Sequence, residues 1–135
     1  EGICLEQMYT PHLKPYTIAE GIQMLEALNA KSPVPFYMHC DTGHMAVAAK
    51  DDENHTFRDK DPYYWLRQRY AGMGKIFVHL QQTDALASRH WPFTPEYNRK
   101  GFIEARKVIQ AIEDSGDFIV QLPKGYVPES TPKFC

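Results

Sequence analysis

An acidic residue, a glycine and a histidine closely follow an apolar run in segment 36–44, Phe-Tyr-Met-His-Cys-Asp-Thr-Gly-His. Asp41 and His44 lie three residues apart, where a buried strand bounded by Pro35 gives way to a loop. In α/β proteins, side chains at this point face the crevice beyond the carboxyl ends of the strands, where ligands bind. The pair alone is a weak signal, because solvated loops often contain the same residues, so the other strand ends must decide.

Three further strand-like segments also end in a side chain that could bind a metal ion, namely Glu6, His79 and Gln121. Each has an ordinary explanation as a solvated, capping or hydrogen-bonded core residue. Parallel strands, however, bring their carboxyl ends together, so these three side chains and Asp41 are expected to converge. Two carboxylates, an imidazole and an amide oxygen suit Mn²⁺, Zn²⁺, Co²⁺ or Mg²⁺. The pattern therefore predicts a divalent metal site.

The elements that would position these residues alternate along the chain. Apolar runs predict strands at residues 3–5, 34–40, 75–80 and 118–122. Helix-start signals predict three helices, which begin at the Thr17–Glu20 capping box, at Asp61-Pro62 and near Glu96. This β-α-β-α-β-α-β order indicates an α/β fold with a parallel sheet and right-handed crossovers.

Finer expectations concern the loops and the helix faces. Segment 41–60 is expected to be a long polar loop, and the second helix to extend to Gly72 with Leu66 and Tyr70 inward. The third helix is expected to run from residue 96 to 113, with its inner face formed by Phe102, Ala105, Ile109 and Ile112. Loops after strands are longer than loops after helices, which favours a site on the carboxyl face of the sheet.

The composition indicates a single globular domain spanning residues 1–135, since 43% of the residues are hydrophobic and the formal net charge is −2. No basic block suggests a nucleic-acid partner, and the apolar runs are too short to span a membrane. Three widely spaced cysteines favour reduced thiols in a cytoplasmic protein. Because residues 2–5 already have a strand pattern, the chain is expected to be a fragment whose earlier half is missing.

The sequence resembles the second half of a xylose isomerase-like TIM barrel, a superfamily of sugar and sugar-phosphate isomerases and epimerases that also includes endonuclease IV. Asp41-Thr42-Gly43-His44 with Ala48 is similar to the family motif D-T-x-H-x-x-x-A, and segment 79–84 is similar to its histidine strand end. Glu6 lies on a strand about 35 residues before Asp41, as in the epimerases. The resemblance covers residues 3–123 and implies the C-terminal half, about four βα units, of a (βα)8 TIM barrel.

The resemblance implies a role for each strand-end residue. In the epimerases each of four successive strands supplies one metal ligand. The resemblance therefore implies that the metal ligands here are Glu6, Asp41, His79 and the residue at the position of Gln121. His44 matches a histidine that contacts the substrate. Gln121 departs from the glutamate of the family, because an amide oxygen can bind a metal ion but cannot take a proton.

Isomerisation and epimerisation of sugars require removal of a proton from carbon beside a carbonyl, with a divalent cation stabilising the enediolate charge. Glu6 is the expected base. The expected substrate-binding residues are His12, His44, Arg89 and His90, with Arg89 as the bidentate ligand of a phosphate. Epimerisation by two bases needs a proton-transferring group on each face of the enediolate, whereas isomerisation needs only one base. Because glutamine cannot transfer a proton, Gln121 favours isomerisation, unless His12 or His90 serves as the second base.

The resemblance thus implies an enzyme, a metal-dependent isomerase or epimerase of a small ketose or ketose phosphate. The narrower expectation is a tetrulose phosphate, as in the erythritol-catabolism members of the superfamily. A metal-free binding or regulatory relative remains open because of Gln121. An endonuclease IV-like phosphoesterase is disfavoured because Ser88-Arg89-His90 lacks the first aspartate of that family's Asp-Arg-His triplet. A half-barrel would also leave two open sheet edges, which predicts a homo-oligomer.

Overall fold

The computed structural model describes residues 1–48, 56, 58–59, 61–68, 76–115 and 118–121, and for 48, 76 and 118–121 it describes the backbone. The strands in these ranges are β1 (Ile3–Glu6), β2 (Phe36–Asp41), β3 (Ile76–His79) and β4 (Phe118–Gln121). The helices are α1 (Ile18–Asn29), α2 (Thr42–Ala48), α3 (Pro62–Arg67), α4 (Pro95–Asn98) and α5 (Ala105–Ser115). No helix in these ranges is long and apolar enough to cross a membrane.

The four strands form one parallel sheet in the order β1-β2-β3-β4, as predicted. Glu6 is paired with His39, and Asp41 is paired with His79. The same register places the backbone of Gln121 beside that of His79. Since side chains alternate between the two faces of a strand, the sheet presents the ends of β1, β2 and β3 on one common face.

The opposite face of the sheet carries the hydrophobic core. Met38, Cys40 and Val78 are buried there, in one cluster with Leu25 of α1 and Val108 of α5. Helices α3 and α5 pack against each other, and Trp65 is fully buried. Removing a side chain such as Leu25 from this cluster would cost about 2–5 kcal/mol, because a cavity would remain. Neither of the cysteines described, Cys4 and Cys40, forms a disulfide bond.

Two helices begin where the sequence predicts. Thr17 Oγ1 accepts the Glu20 backbone N–H at 3.2 Å, and the Glu20 carboxylate accepts the Thr17 N–H at 3.2 Å, which completes the capping box. Asp61 Oδ1 accepts the N–H groups of Tyr63 and Tyr64 at the start of α3. The Lys14-Pro15 peptide bond just before α1 is cis.

The expectation of an entirely polar loop over residues 41–60 is wrong, because α2 follows β2 directly. Asp41 Oδ1 accepts the backbone N–H groups of Gly43 at 2.7 Å and His44 at 3.0 Å. These are first-turn donors, which have no partner within a helix, so the strand-end aspartate itself starts the helix.

Helix α3 ends at Arg67, with Gln68 as its C-cap, and so it is shorter than expected. Leu66 is buried as predicted, whereas Tyr70 and Gly72 lie outside the described residues. The hydrogen bond from the Gln68 N–H to the Trp65 carbonyl closes the last turn of this helix.

The expectation of one helix over residues 96–113 is also wrong, because α4 ends at Asn98 and α5 begins at Ala105. The buried Gln82 amide explains the break, since it accepts the Ile103 N–H at 2.8 Å and donates to the Ile103 carbonyl at 2.8 Å. Because of this interruption, the residues that form the buried face differ from those that a single continuous helix would bury. Phe102 and Ile109 are each 49% exposed and Ala105 is exposed, while the buried residues are Ile103, Val108, Ala111 and Ile112.

Candidate functional site

The carboxyl ends of β1, β2 and β3 bring Glu6, Asp41 and His79 together. His79 Nδ1 lies 2.8 Å from Asp41 Oδ2, and Glu6 Oε1 lies 3.9 Å from the Nδ1 atoms of both His39 and His44. Three overlapping groups of ligand atoms lie within 4.8 Å of one another: Glu6–Asp41–His44, Glu6–His39–His79 and Asp41–His79–His90. The strand ends therefore form one polar cluster that is rich in carboxylates and imidazoles.

Asp41 is fully buried and ionised at neutral pH. Burial raises the pKa of its carboxyl group, but the contact with His79, the nearby His44 and the Gln81 amide together lower the pKa to about 2. Its Oδ1 accepts three hydrogen bonds, from the N–H groups of Gly43 and His44 and from Gln81 Nε2 at 2.7 Å. The same carboxylate conversely raises the pKa of His79.

Asp41 Oδ2 has the features of a metal ligand. It is buried, and no hydrogen bond of acceptable geometry reaches it, although His79 Nδ1 is only 2.8 Å away. A buried carboxylate oxygen without a hydrogen-bond partner is costly unless a cation compensates it. Ligand atoms at 2.0–2.2 Å from one metal ion lie roughly 3 Å apart, which is close to this spacing. The residues present therefore fit a divalent cation.

His44 lies on the first turn of α2, where its ring is held from two sides. Its Nδ1 is 2.9 Å from the carbonyl oxygen of Gln7, and its ring packs in a tilted orientation against that of Tyr9, with a centroid distance of 4.8 Å. Because a carbonyl oxygen can only accept, Nδ1 carries the proton. Nε2 is then the nitrogen that can accept a hydrogen bond from a substrate hydroxyl.

Sequence analysis missed the role of Gln81, which connects Asp41 to the loop after β3. Its fully buried amide donates to Asp41 Oδ1 and, at 2.9 Å, to Ser88 Oγ, and it accepts the His90 N–H at 2.6 Å. A Cβ atom at Gly43 would lie 2.2 Å from the amide carbon of Gln81, so only glycine admits this side chain. The signal in the sequence was a glutamine two residues after the strand-end histidine.

Sequence analysis also missed His39, two residues before Asp41 on β2. The alternation of side chains along a strand places the two residues on the same face, so this period-two pattern could have identified His39. Its ring stacks on that of His79 at a centroid distance of 6.0 Å. Burial is the largest of the effects that lower the pKa of His39, which favours the neutral imidazole.

The remaining predicted site residues lie at different distances from the cluster. The His90 ring is 5.2 Å from the His79 ring, and the His90 backbone adopts a left-handed φ of 54°. Arg89 is exposed and forms a bidentate ion pair with Asp84 at 3.1–3.2 Å. His12 is exposed in the loop after β1, and its contact with a substrate stays a prediction. The Gln121 side chain lies outside the described atoms, so its ligand role also stays a prediction.

Comparison of the coordinates with solved structures identifies the fold. A candidate xylose isomerase from Rhodospirillum rubrum ATCC 11170 matches with a TM-score of 0.61 at 18% identity, over 96% of this chain and 40% of that chain. The chain has the fold of a xylose isomerase-like barrel fragment. The fold class inferred from the sequence is thus confirmed.

A sequence relative of this chain is D-erythrulose 1-phosphate 3-epimerase from Brucella abortus (strain 2308). The two sequences are 29% identical over 103 residues, which is 74% of this chain and 30% of the length of the epimerase. No protein-family model matches the sequence. The chain therefore corresponds to less than half the length of each of these two relatives.

Proposed function

We propose that the protein to which this chain belongs is a metal-dependent isomerase or epimerase of a small ketose or ketose phosphate. The observation that carries the proposal is the set of three overlapping groups of ligand atoms that links Glu6, Asp41 and His79 at the strand ends, where the buried Asp41 Oδ2 lies 2.8 Å from His79 Nδ1. The name of the Brucella abortus relative supports the reaction class and a four-carbon ketose phosphate as substrate.

The proposed cation is Mn²⁺, Zn²⁺, Co²⁺ or Mg²⁺, held by Glu6, Asp41 and His79 together with the position of Gln121. Asp41 and His79 are fixed by the register of β2 and β3, which pairs them directly. A divalent cation held here would supply electrostatic stabilisation of the negative charge that develops on the carbonyl and hydroxyl oxygens of an enediolate.

Glu6 is the proposed base. Its side chain is 39% exposed, whereas Asp41 is fully buried, so the Glu6 carboxylate is the more accessible of the two to a substrate. A carboxylate that takes a proton from carbon must lie within hydrogen-bond reach of that proton in the complex. His44, with its Nδ1 held by a carbonyl, presents Nε2 to position a hydroxyl group of the ketose.

Arg89 is the proposed ligand of a substrate phosphate, although it is paired with Asp84 in this structure. Both side chains are accessible to solvent, and an exposed ion pair of this kind contributes little to stability. A phosphate dianion accepts the same bidentate hydrogen bonds and carries more charge than a carboxylate, so it can displace Asp84. The Trp91 ring beneath the guanidinium, at 5.8 Å, keeps the side chain over the loop.

The name of the relative favours epimerisation over isomerisation. Epimerisation returns the proton to the opposite face of the enediolate, so a second group is needed there. His90 is the better placed of the two predicted candidates, because its ring contacts the His79 ring while His12 is exposed on a separate loop.

The proposal is tested with the full-length protein in deuterated water and D-erythrulose 1-phosphate, followed by NMR. We expect deuterium to enter at the carbon beside the carbonyl, and chelation of the metal to stop this exchange until Mn²⁺, Zn²⁺, Co²⁺ or Mg²⁺ is restored. Inversion at the exchanged carbon would identify an epimerase, and movement of the carbonyl group to the neighbouring carbon would identify an isomerase. Exchange that continues in chelated protein would contradict metal dependence, and binding without exchange would favour a binding or regulatory relative.

A further inference from the structure

His39 lies inside the cluster of Glu6 and His79 but has no role in the proposed reaction. It is paired with Glu6 in the register of β1 and β2, and its side chain is 14% exposed. One imidazole nitrogen of His39 and the ligand atoms of Glu6 and His79 lie within 4.8 Å of one another. The three side chains could therefore contact a common ion after small rotamer adjustments.

The hydrogen bonding of His39 is incomplete, which distinguishes it from a histidine that is simply packed in a core. Its Nε2 atom is buried and has no hydrogen-bond partner, and its Nδ1 is 3.9 Å from Glu6 Oε1, beyond hydrogen-bond distance. Asp41, two residues along the strand, is fully buried, and its Oδ2 lies 2.8 Å from His79 Nδ1 without the geometry of a hydrogen bond. A buried imidazole nitrogen without a hydrogen-bond partner, on the strand face that also carries Asp41 and beside Glu6 and His79, points to a ligand position for a cation.

We propose that His39 is a ligand of the divalent cation, alongside Glu6, Asp41 and His79. This inference rests on the metal site in the proposed function and changes its composition. The second imidazole would supply the ligand that a carboxylate at position 121 would otherwise supply. Two carboxylates and two neutral imidazoles balance the charge of a divalent ion, whereas three carboxylates would leave the site with a net charge of about −1.

The composition of this site has a consequence for metal selectivity. Imidazole nitrogen suits Zn²⁺ and Co²⁺, whereas Mg²⁺ prefers oxygen ligands and retains its water. We therefore expect the site with two histidines to bind Co²⁺ or Zn²⁺ much more tightly than Mg²⁺, and we expect removal of the His39 imidazole to reduce that preference.

The first test measures Co²⁺ and Mg²⁺ affinity and the visible absorption of bound Co²⁺ in full-length wild-type protein and in His39→Leu, which keeps an apolar side chain in the barrel. We expect Co²⁺ affinity to fall at least about 10-fold in His39→Leu, with little change for Mg²⁺ and a shifted Co²⁺ absorption band. Tyr37→Leu is the matched control, because Tyr37 lies on the same face of β2, two residues further from its carboxyl end, and this substitution should leave Co²⁺ affinity unchanged. The proposal would be overturned if a folded His39→Leu protein bound Co²⁺ with the same affinity and the same absorption spectrum as the wild-type protein.

A second measurement does not depend on how the variant folds. Anomalous diffraction at the zinc edge, from crystals of full-length wild-type protein with Zn²⁺, should place the ion about 2.0–2.1 Å from a His39 nitrogen. An ion bound by Glu6, Asp41 and His79 with His39 beyond about 3 Å would overturn this inference and leave the proposed function intact. Failure of the wild-type protein to bind any of these ions would overturn both.

Discussion

At the scale of single residues, Glu6 is accessible to solvent and lies within the polar cluster at the strand ends. We predict that Glu6→Gln lowers the rate of substrate deuterium exchange by about 10²–10⁴-fold, because an amide cannot take a proton. Bound metal must be measured in the same samples, since the amide oxygen could still act as a ligand. Glu26→Gln, on the exposed surface of α1, is the matched control and should exchange at the wild-type rate. Near-normal exchange in metal-loaded Glu6→Gln would refute the role of Glu6 as base.

Gly43 and Gly101 form a matched pair for testing the role of Gln81. A methyl group at Gly43 would lie 2.2 Å from the Gln81 amide carbon, and one at Gly101 would lie 2.1 Å from that of Gln82. Both substitutions should destabilise the fold, because each displaces a buried, hydrogen-bonded amide.

We predict that Gly43→Ala alone weakens metal affinity, by about 10–100-fold, because Gln81 but not Gln82 holds Asp41. Calorimetric titration with Zn²⁺ gives the affinities, and thermal unfolding of the metal-free proteins gives the stabilities. An equal loss of metal affinity in Gly43→Ala and Gly101→Ala would show that the effect comes from general destabilisation. Unchanged affinity in both variants would show that Gln81 has no role in metal binding.

At the scale of elements, the start of α1 is stabilised by an ionised side chain. The Glu20 carboxylate accepts the backbone N–H groups of Tyr16 at 2.8 Å and Thr17 at 3.2 Å, and it pairs with Lys14. Burial opposes the ionisation of Glu20, but the hydrogen bonds from Lys14, Tyr16 and Thr17 outweigh it and lower its pKa. The folded state therefore binds the Glu20 proton less tightly than the unfolded state, so ionisation of Glu20 favours folding.

Because the pKa of Glu20 is lower in the folded state, its contribution is complete above the unfolded value of about 4.3 and is lost as the pH falls through the folded value. We predict that Glu20→Gln lowers the free energy of unfolding by about 0.5–1 kcal/mol at pH 7 and by much less at pH 3. Urea denaturation at both pH values measures the difference. Glu26→Gln on the same helix should show no such pH dependence, and a constant difference for Glu20→Gln would exclude its charge as the cause.

At the scale of the whole molecule, β1 and β4 border the described sheet. A closed barrel would pair both strands, whereas a four-stranded sheet leaves an unpaired backbone edge on each. Ile3 on β1 is 48% exposed, and Cys4 beside it is also exposed. An accessible, partly apolar edge strand favours pairing with another chain.

We predict that the 135-residue chain, expressed by itself, associates with other copies through these edges. Light scattering over a concentration series measures the association. Ile3→Lys should weaken it, because a lysine on an edge strand opposes pairing. Ile109→Lys is the matched control, since Ile109 is 49% exposed but lies on α5. A monomer at all concentrations, or equal effects of both substitutions, would argue against edge pairing.

The sequence alone determined the order of the four parallel strands and three members of the polar cluster at their ends. Strand runs ending in Glu6, Asp41 and His79 are local patterns, and the parallel-sheet rule then brings their carboxyl ends together. The capping box at Thr17 was equally visible, because both of its hydrogen bonds join residues three apart. Information of this kind lies within one element, so periodicity and spacing are sufficient to find it.

Only the tertiary structure decided the features that depend on contacts between distant residues. Gln82 interrupts the expected third helix through hydrogen bonds to Ile103, 21 positions away, which compete with helix formation. Gln81 reaches Asp41 across 40 positions, and Gly43 must lack a side chain to admit it. Local patterns contain no information about such pairings, because a buried amide gains its partners only when the strands and loops have packed.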